Sequence, residues 1–136
     1  MAIAHRGYRE ELSSLKGRDI RIALDEWNYW YGPHVFGELG TRYFLKDGLG
    51  VAAAVHEYAR QSDIMFMANY AQTVNVIGCI KTNKTHASFA TTGLALKLYR
   101  NHYGTVPLAV TKALVASFRG ARLLPGGMSI CMRKGP

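Results

Sequence analysis

Three consecutive segments of the chain have the patterns of a strand, a helix and a strand, and this order restricts the fold more than any other feature. Residues 19–24 alternate polar and apolar side chains, which is typical of a strand. Residues 43–61 carry apolar side chains at helical spacing, and residues 63–68 form an apolar run typical of a strand covered on both faces. A βαβ unit of this kind requires a parallel sheet. The sequence therefore predicts an α/β fold in which both strands belong to a larger sheet.

Two further helices are predicted on either side of this unit. Residues 8–16 have the pattern of the end of an amphipathic helix that stops at Gly17. Residues 91–102 have the pattern of a helix with Leu94 and Leu98 on its buried side. Gly48 and Gly50 lower the helix propensity of residues 43–61, so we interpret them as marks of close helix packing.

The remaining segments show weaker patterns. Residues 27–41 and 69–85 lack periodicity and are predicted to be loops. Residues 106–118 could supply one or two strands, and residues 119–136 are rich in Gly, Pro and Arg, which is typical of a disordered tail.

Length and composition indicate one ordinary globular domain. The chain has 136 residues, 49% of them hydrophobic, which argues against intrinsic disorder. No segment is long and apolar enough to span a bilayer, and the first residues lack the build of a secretory signal. We therefore expect a soluble, cytoplasmic protein without a membrane partner.

The charge of the chain is unevenly distributed. The net charge is +8, and all nine acidic residues lie at or before Asp63. The nine Lys and Arg residues beyond that point are scattered singly instead of forming a patch. A small basic nucleic-acid binder therefore remains only a third hypothesis, and we expect no nucleic-acid partner.

Cysteine and histidine usage does not indicate a metal site or a disulfide framework. Cys79 and Cys131 are far apart and lack Cys-x-x-Cys spacing, and the five histidines are dispersed. His56 lies on the apolar side of the predicted helix and is expected to be a satisfied core or boundary residue, while His34 lies in the first loop. No metal and no cofactor are predicted.

The most informative chemistry follows the first strand. Asp25 and Glu26 are followed at once by Trp27, Asn28, Tyr29 and Trp30. If the strand stays regular, Glu26 shares the face of Ile20, Ile22 and Leu24. Aromatic rings stack on sugars, and a carboxylate can attack the reacting carbon of a glycoside. A strand end with core tryptophans explains the composition about equally well.

A second group of candidates follows the second strand. Asn69, Gln72 and Asn75 could line a pocket with their amides. Alternatively, these side chains satisfy backbone groups of a loop, which is the commoner use of such residues.

Four segments, in this order, resemble family 51 α-L-arabinofuranosidases. Residues 22–31, with Asp-Glu-Trp-Asn-x-Trp, resemble the nucleophile strand of that family. Residues 67–77 resemble its last barrel strand and loop, residues 82–84 a following turn, and residues 98–102 the helix that leads out of the barrel. The resemblance covers residues 17–104.

The resemblance implies a fold and an activity. The family's enzymes are (β/α)8 barrels with an attached β-sandwich, so residues 1–104 would hold the last two βα units of the barrel. Residues 105–136 would begin the β-sandwich or form a disordered basic tail. The implied activity is removal of terminal α-L-arabinofuranosyl groups from arabinan, arabinoxylan or their oligosaccharides with retention of configuration. Full-length members commonly form homo-oligomers, and no cofactor is implied.

The resemblance also implies roles for individual residues. Glu26 would be the nucleophile and form the covalent arabinosyl intermediate. Trp30 would wall the arabinose subsite, and Gln72 would hydrogen-bond the sugar. Asn28 and Asp25 would orient and tune the nucleophilic carboxylate.

One departure from the family pattern limits the expected activity. Retaining hydrolysis needs a second carboxyl group about 5 Å from the nucleophile. In the family it lies in a Gly-Asn-Glu context that this sequence lacks, and Glu38 is only a weak substitute. We therefore expect a fragment without the general acid/base. The alternative is a non-catalytic carbohydrate-binding or structural remnant whose sugar-contacting surface contains Trp30, Tyr31 and Gln72.

Overall fold

A computed structural model describes residues 1–29, 40–108 and 131–133 of the chain. These residues form three α-helices, six strands and one short 3₁₀ helix at Ser13–Leu15. In chain order the helices and strands are α1 (Ala2–Glu11), β1 (Ile22–Trp27), α2 (Leu45–Arg60), β2 (Met65–Tyr70), β3 (Ile80–Thr82), β4 (Ala87–Phe89), α3 (Thr91–His102), β5 (Val106–Leu108) and β6 (Cys131–Arg133).

The predicted βαβ unit is confirmed. β1 and β2 pair in parallel, and α2 is the connection between them. Two neighbouring parallel strands need such a crossover because the chain must return to the end of the sheet where the first strand began before the second strand can start. In the described part of the chain this sheet has two strands, and the larger sheet stays a prediction.

The β1–β2 ladder contains two irregularities that offset each other. Phe66 is an extra residue in β2, since Ile22 and Ala23 pair with Met65 and Met67. Further along, Leu24 pairs with Ala68 and Trp27 with Tyr70, so β1 contains one extra residue between these pairs. Because a strand alternates its faces, one extra residue changes the side to which the following side chains point.

The predicted alternation through Glu26 is therefore wrong. Ile22 and Leu24 are half-buried, but Ile20 lies before the strand and is exposed, and Asp25 and Glu26 are both exposed. The alternation rule assumes a regular strand. The extra residue of β1 lies at these two carboxylates, where the rule stops applying.

The expectation that the second strand is covered on both faces is also wrong for the described residues. Phe66 is 69% exposed and Met67 is 39% exposed, whereas Ile64, just before β2, is buried. An apolar run shows that a strand tolerates burial on both faces. It does not identify the element that covers them.

Helices α2 and α3 pack closely at their N-terminal ends. A Cβ atom on Gly48 would lie 2.9 Å from the carbonyl oxygen of Thr91, so the prediction that this glycine allows close packing is confirmed. The Thr91 hydroxyl also donates to the carbonyl of Phe44 at 2.8 Å. Gly50 instead gives room to the Tyr29 side chain.

The bounds of α3 agree with the predicted helix, but its predicted buried face does not. Leu94 and Leu98 are exposed, and the buried residues of α3 are Thr92 and Gly93. Thr92 and Gly93 are buried because this end of α3 lies against the segment around Cys79.

The other segments differ from prediction in detail. Helix α1 spans Ala2–Glu11, earlier than the predicted 8–16, and the chain turns at Gly17 with φ of +74°. Part of the predicted 69–85 loop is strand, because β3 pairs antiparallel with β4. A turn follows β3 near the predicted residues 82–84, but it spans residues 83–86, since the Asn83 carboxamide accepts from the amides of Thr85 and His86 and Thr82 is the last residue of β3.

The C-terminal strands partly contradict the predicted tail. β5 and β6 pair antiparallel, so residues 131–133 are a strand and not disordered tail. The prediction of strands in 106–118 is confirmed for β5. The other residues of 106–118 and 119–136 lie outside the described residues.

The buried apolar residues of the described segments form a small set. They are Tyr43, Val51, Ile64, Ile77 and Cys79. Three of the five lie in or next to the loops that follow β1 and β2. Among the described helices, none has the length and apolar character needed to cross a membrane.

Candidate functional site

Glu26 lies near the C-terminal end of β1, and its side chain is exposed to solvent. Its neighbour Asp25 is exposed as well. Both stand opposite a single residue of β2, Asn69, because of the extra residue in this part of β1. The irregularity therefore places two successive carboxylates and one exposed amide at the C-terminal edge of the parallel pair.

Trp27 supports this edge from within. Its ring packs edge-to-face on Tyr58 of α2 and on Tyr70 of β2, each with a centroid distance of 5.2 Å. Edge-to-face aromatic pairs are favourable beyond the area that they bury. Trp27 is half-buried, and its ring lies between helix α2 and the neighbouring strand β2.

The amide of Asn28 is used entirely by the protein. Its Nδ2 donates to the carbonyl of Ile77 at 2.6 Å and to the hydroxyl of Tyr43 at 3.0 Å. Its Oδ1 accepts from the backbone N–H of Tyr29 at 2.6 Å. Asn28 therefore holds the backbone two residues after Glu26 and ties it to the loop after β2.

Tyr43 completes this contact, and sequence reasoning missed it. The side chain is buried, and its hydroxyl donates to the carbonyl of Ile77 at 2.8 Å. Burial raises the pKa of the Tyr43 hydroxyl, so it stays protonated and able to donate at neutral pH. An apolar-looking Tyr at the start of a predicted helix gave no sequence signal of this role.

The loop from residue 71 to 79 carries Gln72 and folds back on itself. The amide of Cys79 donates to the carbonyl of Gln72 at 3.4 Å, and the amide of Ile80 donates to that of Thr73 at 2.9 Å. The peptide bond between Ala71 and Gln72 is cis, and the Gln72 side chain is exposed. The backbone of Gln72 is therefore part of a closed loop, and its side-chain carboxamide is exposed.

The same loop contains two residues in the left-handed region of the backbone map. Asn75 has φ of 51° and Val76 has φ of 40°. A β-branched residue rarely adopts this conformation. It is held there by close neighbours, since the Val76 carbonyl accepts from the amide of Thr41 at 2.6 Å and Gly40 lies directly against the Val76 backbone.

The side-chain amides of Asn69, Gln72 and Asn75 divide between the two uses considered from sequence. Asn75 satisfies loop groups, because its Nδ2 donates to the Thr82 carbonyl at 3.1 Å and its Oδ1 accepts from the Thr82 amide at 2.8 Å. Asn69 and Gln72 are exposed near the end of β2. They are the two amides free of such a loop role in the described hydrogen bonds.

Several predicted site residues lie outside the described residues. These are Trp30, Tyr31, His34 and Glu38. The prediction for His56 is confirmed, because it is half-buried and its Nε2 lies 2.7 Å from the hydroxyl of Tyr99.

Groups that could bind a metal are not assembled in the described part of the chain. No three or more His, Cys, Asp or Glu side chains lie together there. Cys79 is a free, buried thiol, and burial raises its pKa, which disfavours the reactive thiolate.

Comparison with known proteins gives a consistent result. The model of the α-L-arabinofuranosidase C-terminal domain matches residues 25–120, which is more than half of the chain. α-L-Arabinofuranosidase C of Emericella nidulans is 36% identical over 83 residues, covering 60% of this chain and 16% of that protein. The intracellular exo-α-L-arabinofuranosidase of Bacteroides ovatus is 27% identical over 99 residues, covering 70% of this chain and 19% of that protein.

Solved structures agree with these relatives. The crystal structure of α-L-arabinofuranosidase from Thermotoga maritima in complex with arabinose matches with a TM-score of 0.67 and 34% identity. The thermostable family 51 α-L-arabinofuranosidase of Thermotoga petrophila gives the same values. Each match covers 76% of this chain and 21% of the solved chain. The chain thus spans about a fifth of these enzymes, and it belongs to the family 51 α-L-arabinofuranosidases.

Proposed function

We propose that the chain carries the nucleophile end of a retaining α-L-arabinofuranosidase and that Glu26 is the nucleophile. The single observation that carries the proposal is the position of Glu26. It is an exposed carboxylate at the C-terminal end of a parallel strand, in a chain of the α-L-arabinofuranosidase family. In (β/α)8 enzymes the reacting groups lie at that end of the strands.

The proposed architecture is a (β/α)8 barrel to which residues 1–104 contribute the last two βα units. The parallel pairing of β1 and β2 supports this assignment. Residues 105–136 would begin the β-sandwich, and the antiparallel pairing of β5 with β6 supports that part. The matched family segment, residues 25–120, crosses the proposed boundary between the two.

The proposed reaction is a double displacement at the anomeric carbon of a terminal arabinofuranosyl group. In the first step a carboxylate oxygen of Glu26 bonds to that carbon while the bond to the leaving oxygen breaks and the leaving oxygen takes a proton from a general acid. In the second step water attacks the same carbon, gives its proton to the conjugate base and releases Glu26. Two inversions give net retention.

The neighbouring residues have complementary roles in this proposal. The exposed amide of Gln72 hydrogen-bonds the sugar hydroxyls, and Trp30 forms the wall of the arabinose subsite. Asp25 raises the negative potential beside Glu26, since the two carboxylates are adjacent in the chain and both exposed. Asn28 orients the nucleophile indirectly, by holding the backbone after it.

The proposed substrate is an arabinose-containing oligosaccharide or polysaccharide. Names of relatives support this class, because the Emericella nidulans and Bacteroides ovatus proteins are called α-L-arabinofuranosidases. No cofactor takes part in the proposed reaction. Homo-oligomeric assembly and a cytoplasmic location stay predictions.

The experiment separates the nucleophile from the general acid. An arabinofuranoside with a dinitrophenyl leaving group needs no protonation to depart, so Glu26 alone can complete the first step. Azide can then attack the intermediate without help from a general base. We expect a burst of about one equivalent of dinitrophenol per chain, followed by turnover that azide accelerates and that forms the arabinosyl azide with retained configuration.

Matched variants make the result specific. Glu26→Gln should lower the burst rate by about 1,000-fold or more, because the amide is a poor nucleophile of nearly the same shape. Glu11→Gln makes the same change at an exposed glutamate of α1 and should have no effect. A burst of equal size in Glu26→Gln would show that Glu26 is not the nucleophile.

A non-catalytic carbohydrate-binding role is the second candidate. It is favoured by one observation, the lack of a Gly-Asn-Glu motif that could supply the second carboxyl group. In that case arabinose or an arabino-oligosaccharide would shift the NMR signals of Gln72 and its neighbours, while the dinitrophenyl substrate would give no burst and azide no product.

A further inference from the structure

A hydrogen-bonded triangle that contains the buried residues Tyr43 and Ile77 joins the loop after β1 to the loop after β2. Its three corners are the amide of Asn28, the hydroxyl of Tyr43 and the carbonyl of Ile77. Each corner comes from a different part of the chain, and Asn28 and Ile77 are 49 residues apart in sequence. The triangle is therefore a tertiary contact and not a local turn.

The hydrogen bonds of the triangle are mutually compatible. The Ile77 carbonyl has two lone pairs and accepts from Asn28 at 2.6 Å and from Tyr43 at 2.8 Å. The Tyr43 hydroxyl directs its one proton to Ile77, since its other acceptor, the Tyr29 carbonyl, is farther away at 3.4 Å. It uses a lone pair to accept from Asn28 at 3.0 Å. The bond between Tyr43 and Ile77 is buried, since these residues are 7% and 4% exposed, and the two bonds from Asn28 are part-buried. Buried hydrogen bonds of this kind favour one geometry because a broken one leaves an unpaired polar group.

The triangle connects the two segments that carry the proposed site. On one side, Asn28 also accepts from the Tyr29 amide and so fixes the backbone that leaves Glu26. On the other side, Ile77 belongs to the 71–79 loop that carries Gln72 and closes through the bond from Cys79 to the Gln72 carbonyl. A shift of Ile77 relative to Asn28 would therefore change the spacing between Glu26 and Gln72.

We propose that Tyr43 is a positioning residue that sets the distance between the nucleophile strand and the sugar-binding loop, acting through Asn28 and the Ile77 carbonyl. The proposal rests on the function proposed above for its effect on catalysis. The coupling of the two loops follows from the hydrogen bonds alone and does not depend on that function. Tyr43 itself touches neither the nucleophile nor Gln72 in the described contacts.

The test compares Tyr43→Phe with Tyr103→Phe. The first change removes a hydroxyl that makes two hydrogen bonds in the triangle and keeps the ring. The second removes a buried hydroxyl without a hydrogen-bond partner among the described residues, in a ring cluster with His56 and Tyr99. Both variants therefore make the same chemical change at a tyrosine, but only Tyr43→Phe breaks hydrogen bonds of the triangle.

The first readout is amide exchange followed by NMR, which does not depend on turnover. In Tyr43→Phe we expect exchange to become faster by about 10-fold at Tyr29 and through residues 71–79, with little change in α3. Tyr103→Phe should leave both loops unchanged. Equal acceleration everywhere would mean a general loss of stability and would overturn the proposal, as would unchanged exchange in the two loops.

The second readout is the burst rate with the dinitrophenyl substrate. Displacing the sugar relative to the nucleophile should lower the rate at saturation by about 10-fold while KM changes less than about twofold, because the sugar still binds but in a less reactive position. Loop loosening without this rate loss would overturn the positioning role. No burst from the unmodified chain would instead refute the proposed function, and the exchange data alone would then decide on the coupling.

A second variant covers the case in which Tyr43→Phe does not fold. Asn28→Asp keeps the side-chain shape but removes both donors to Tyr43 and Ile77. Because a carboxylate still accepts from the Tyr29 amide, we expect Tyr29 to stay protected while exchange in 71–79 rises. Protection of 71–79 in this variant would contradict the proposal.

Discussion

The two ends of the β1–β2 pair are held by contacts of different kinds. At the site end, residues 26–29 and 71–79, the contacts are side-chain hydrogen bonds to the backbone: the bond from Tyr43 to the Ile77 carbonyl is buried, and the bond from Asn28 to the same carbonyl is part-buried. At the opposite end, which comprises α1 and residues 19–21 and 61–63, they are exposed ion pairs and side-chain hydrogen bonds. Arg6, for example, donates to Asp63 at 2.8 Å with both side chains well exposed.

This difference in contacts determines which end of the pair keeps fixed distances between its residues. An exposed ion pair is screened by water and salt, and its two long side chains can separate without leaving a buried charge. A buried carbonyl that loses its donor has no such replacement. We therefore expect the site end to keep its arrangement under conditions that loosen the opposite end.

The largest effect is expected where α3 touches the site end. Gly93→Ala would place a Cβ atom 2.5 Å from the carbonyl oxygen of Cys79. Because that neighbour is backbone, α3 or the 71–79 loop must shift, and we expect a loss of about 3 kcal/mol in the free energy of unfolding. Urea unfolding measures it. A loss below about 1 kcal/mol would show that α3 and the 71–79 loop can shift at little cost, and that the site end is not more rigid than the opposite end.

A somewhat smaller effect is expected from the triangle itself. Asn28→Ala leaves the Ile77 carbonyl with one donor fewer and the Tyr29 amide without its partner. We expect a destabilisation of about 2 kcal/mol, measured by urea unfolding. Asn101→Ala, at an exposed residue of α3, is the control and should change stability by less than about 0.5 kcal/mol.

A Gly→Ala substitution in α1, at the opposite end, should raise stability instead of lowering it. In α1, a Cβ atom on Gly7 would meet only the Glu11 side chain, at 3.9 Å. Gly7→Ala should therefore stabilise the chain by about 0.5–1 kcal/mol through helix propensity alone. Thermal unfolding would show a small rise in Tm. A fall in Tm would mean that α1 is packed more tightly than its exposed contacts indicate.

The smallest effect concerns salt and pH at Arg6 and Asp63. The hydrogen bond from Arg6 holds the pKa of the Asp63 carboxyl below its usual range. A carboxyl whose pKa is lower in the folded chain adds stability above its unfolded pKa and loses it as pH falls through the folded pKa. Below about pH 4, or in about 1 M salt, we expect faster amide exchange in α1 and unchanged exchange at Tyr29.

Titration of Asp63 by NMR tests the cause of this shift. In Arg6→Ala the pKa of Asp63 should return toward its ordinary value, and the salt effect on α1 should shrink. An unchanged pKa in this variant would contradict the assignment of the shift to Arg6.

The regular elements of the molecule were largely predictable from the sequence. The bounds of α3 agree with residues 91–102, and α2 lies within the predicted 43–61. Both helices combine apolar periodicity with an end signal, such as Asp47, whose carboxylate accepts from the Phe44 amide at the start of α2. The parallel order of β1 and β2 followed from the connection between them.

The details of the site end were less predictable because they depend on contacts distant in sequence. The extra residue of β1 beside Glu26 is defined only by its pairing with β2. Tyr43 and Ile77 look like ordinary core residues until the fold brings them to Asn28. The β3 strand was missed because Ile80–Thr82 is too short to show alternation. The predicted burial of Leu94 and Leu98 was wrong because periodicity identifies the apolar face of a helix but not whether another element packs on that face.

The two offsetting irregularities of the β1–β2 ladder have a consequence for how this segment can change in evolution. The extra residue in β2 near Phe66 and the extra residue in β1 at Asp25 and Glu26 cancel, so that Trp27 still meets Tyr70. Deleting one residue at either place would leave the other uncompensated and would turn Trp27 away from Tyr58 and Tyr70. We therefore expect insertions and deletions at these two places to be inherited together, as paired gaps among relatives.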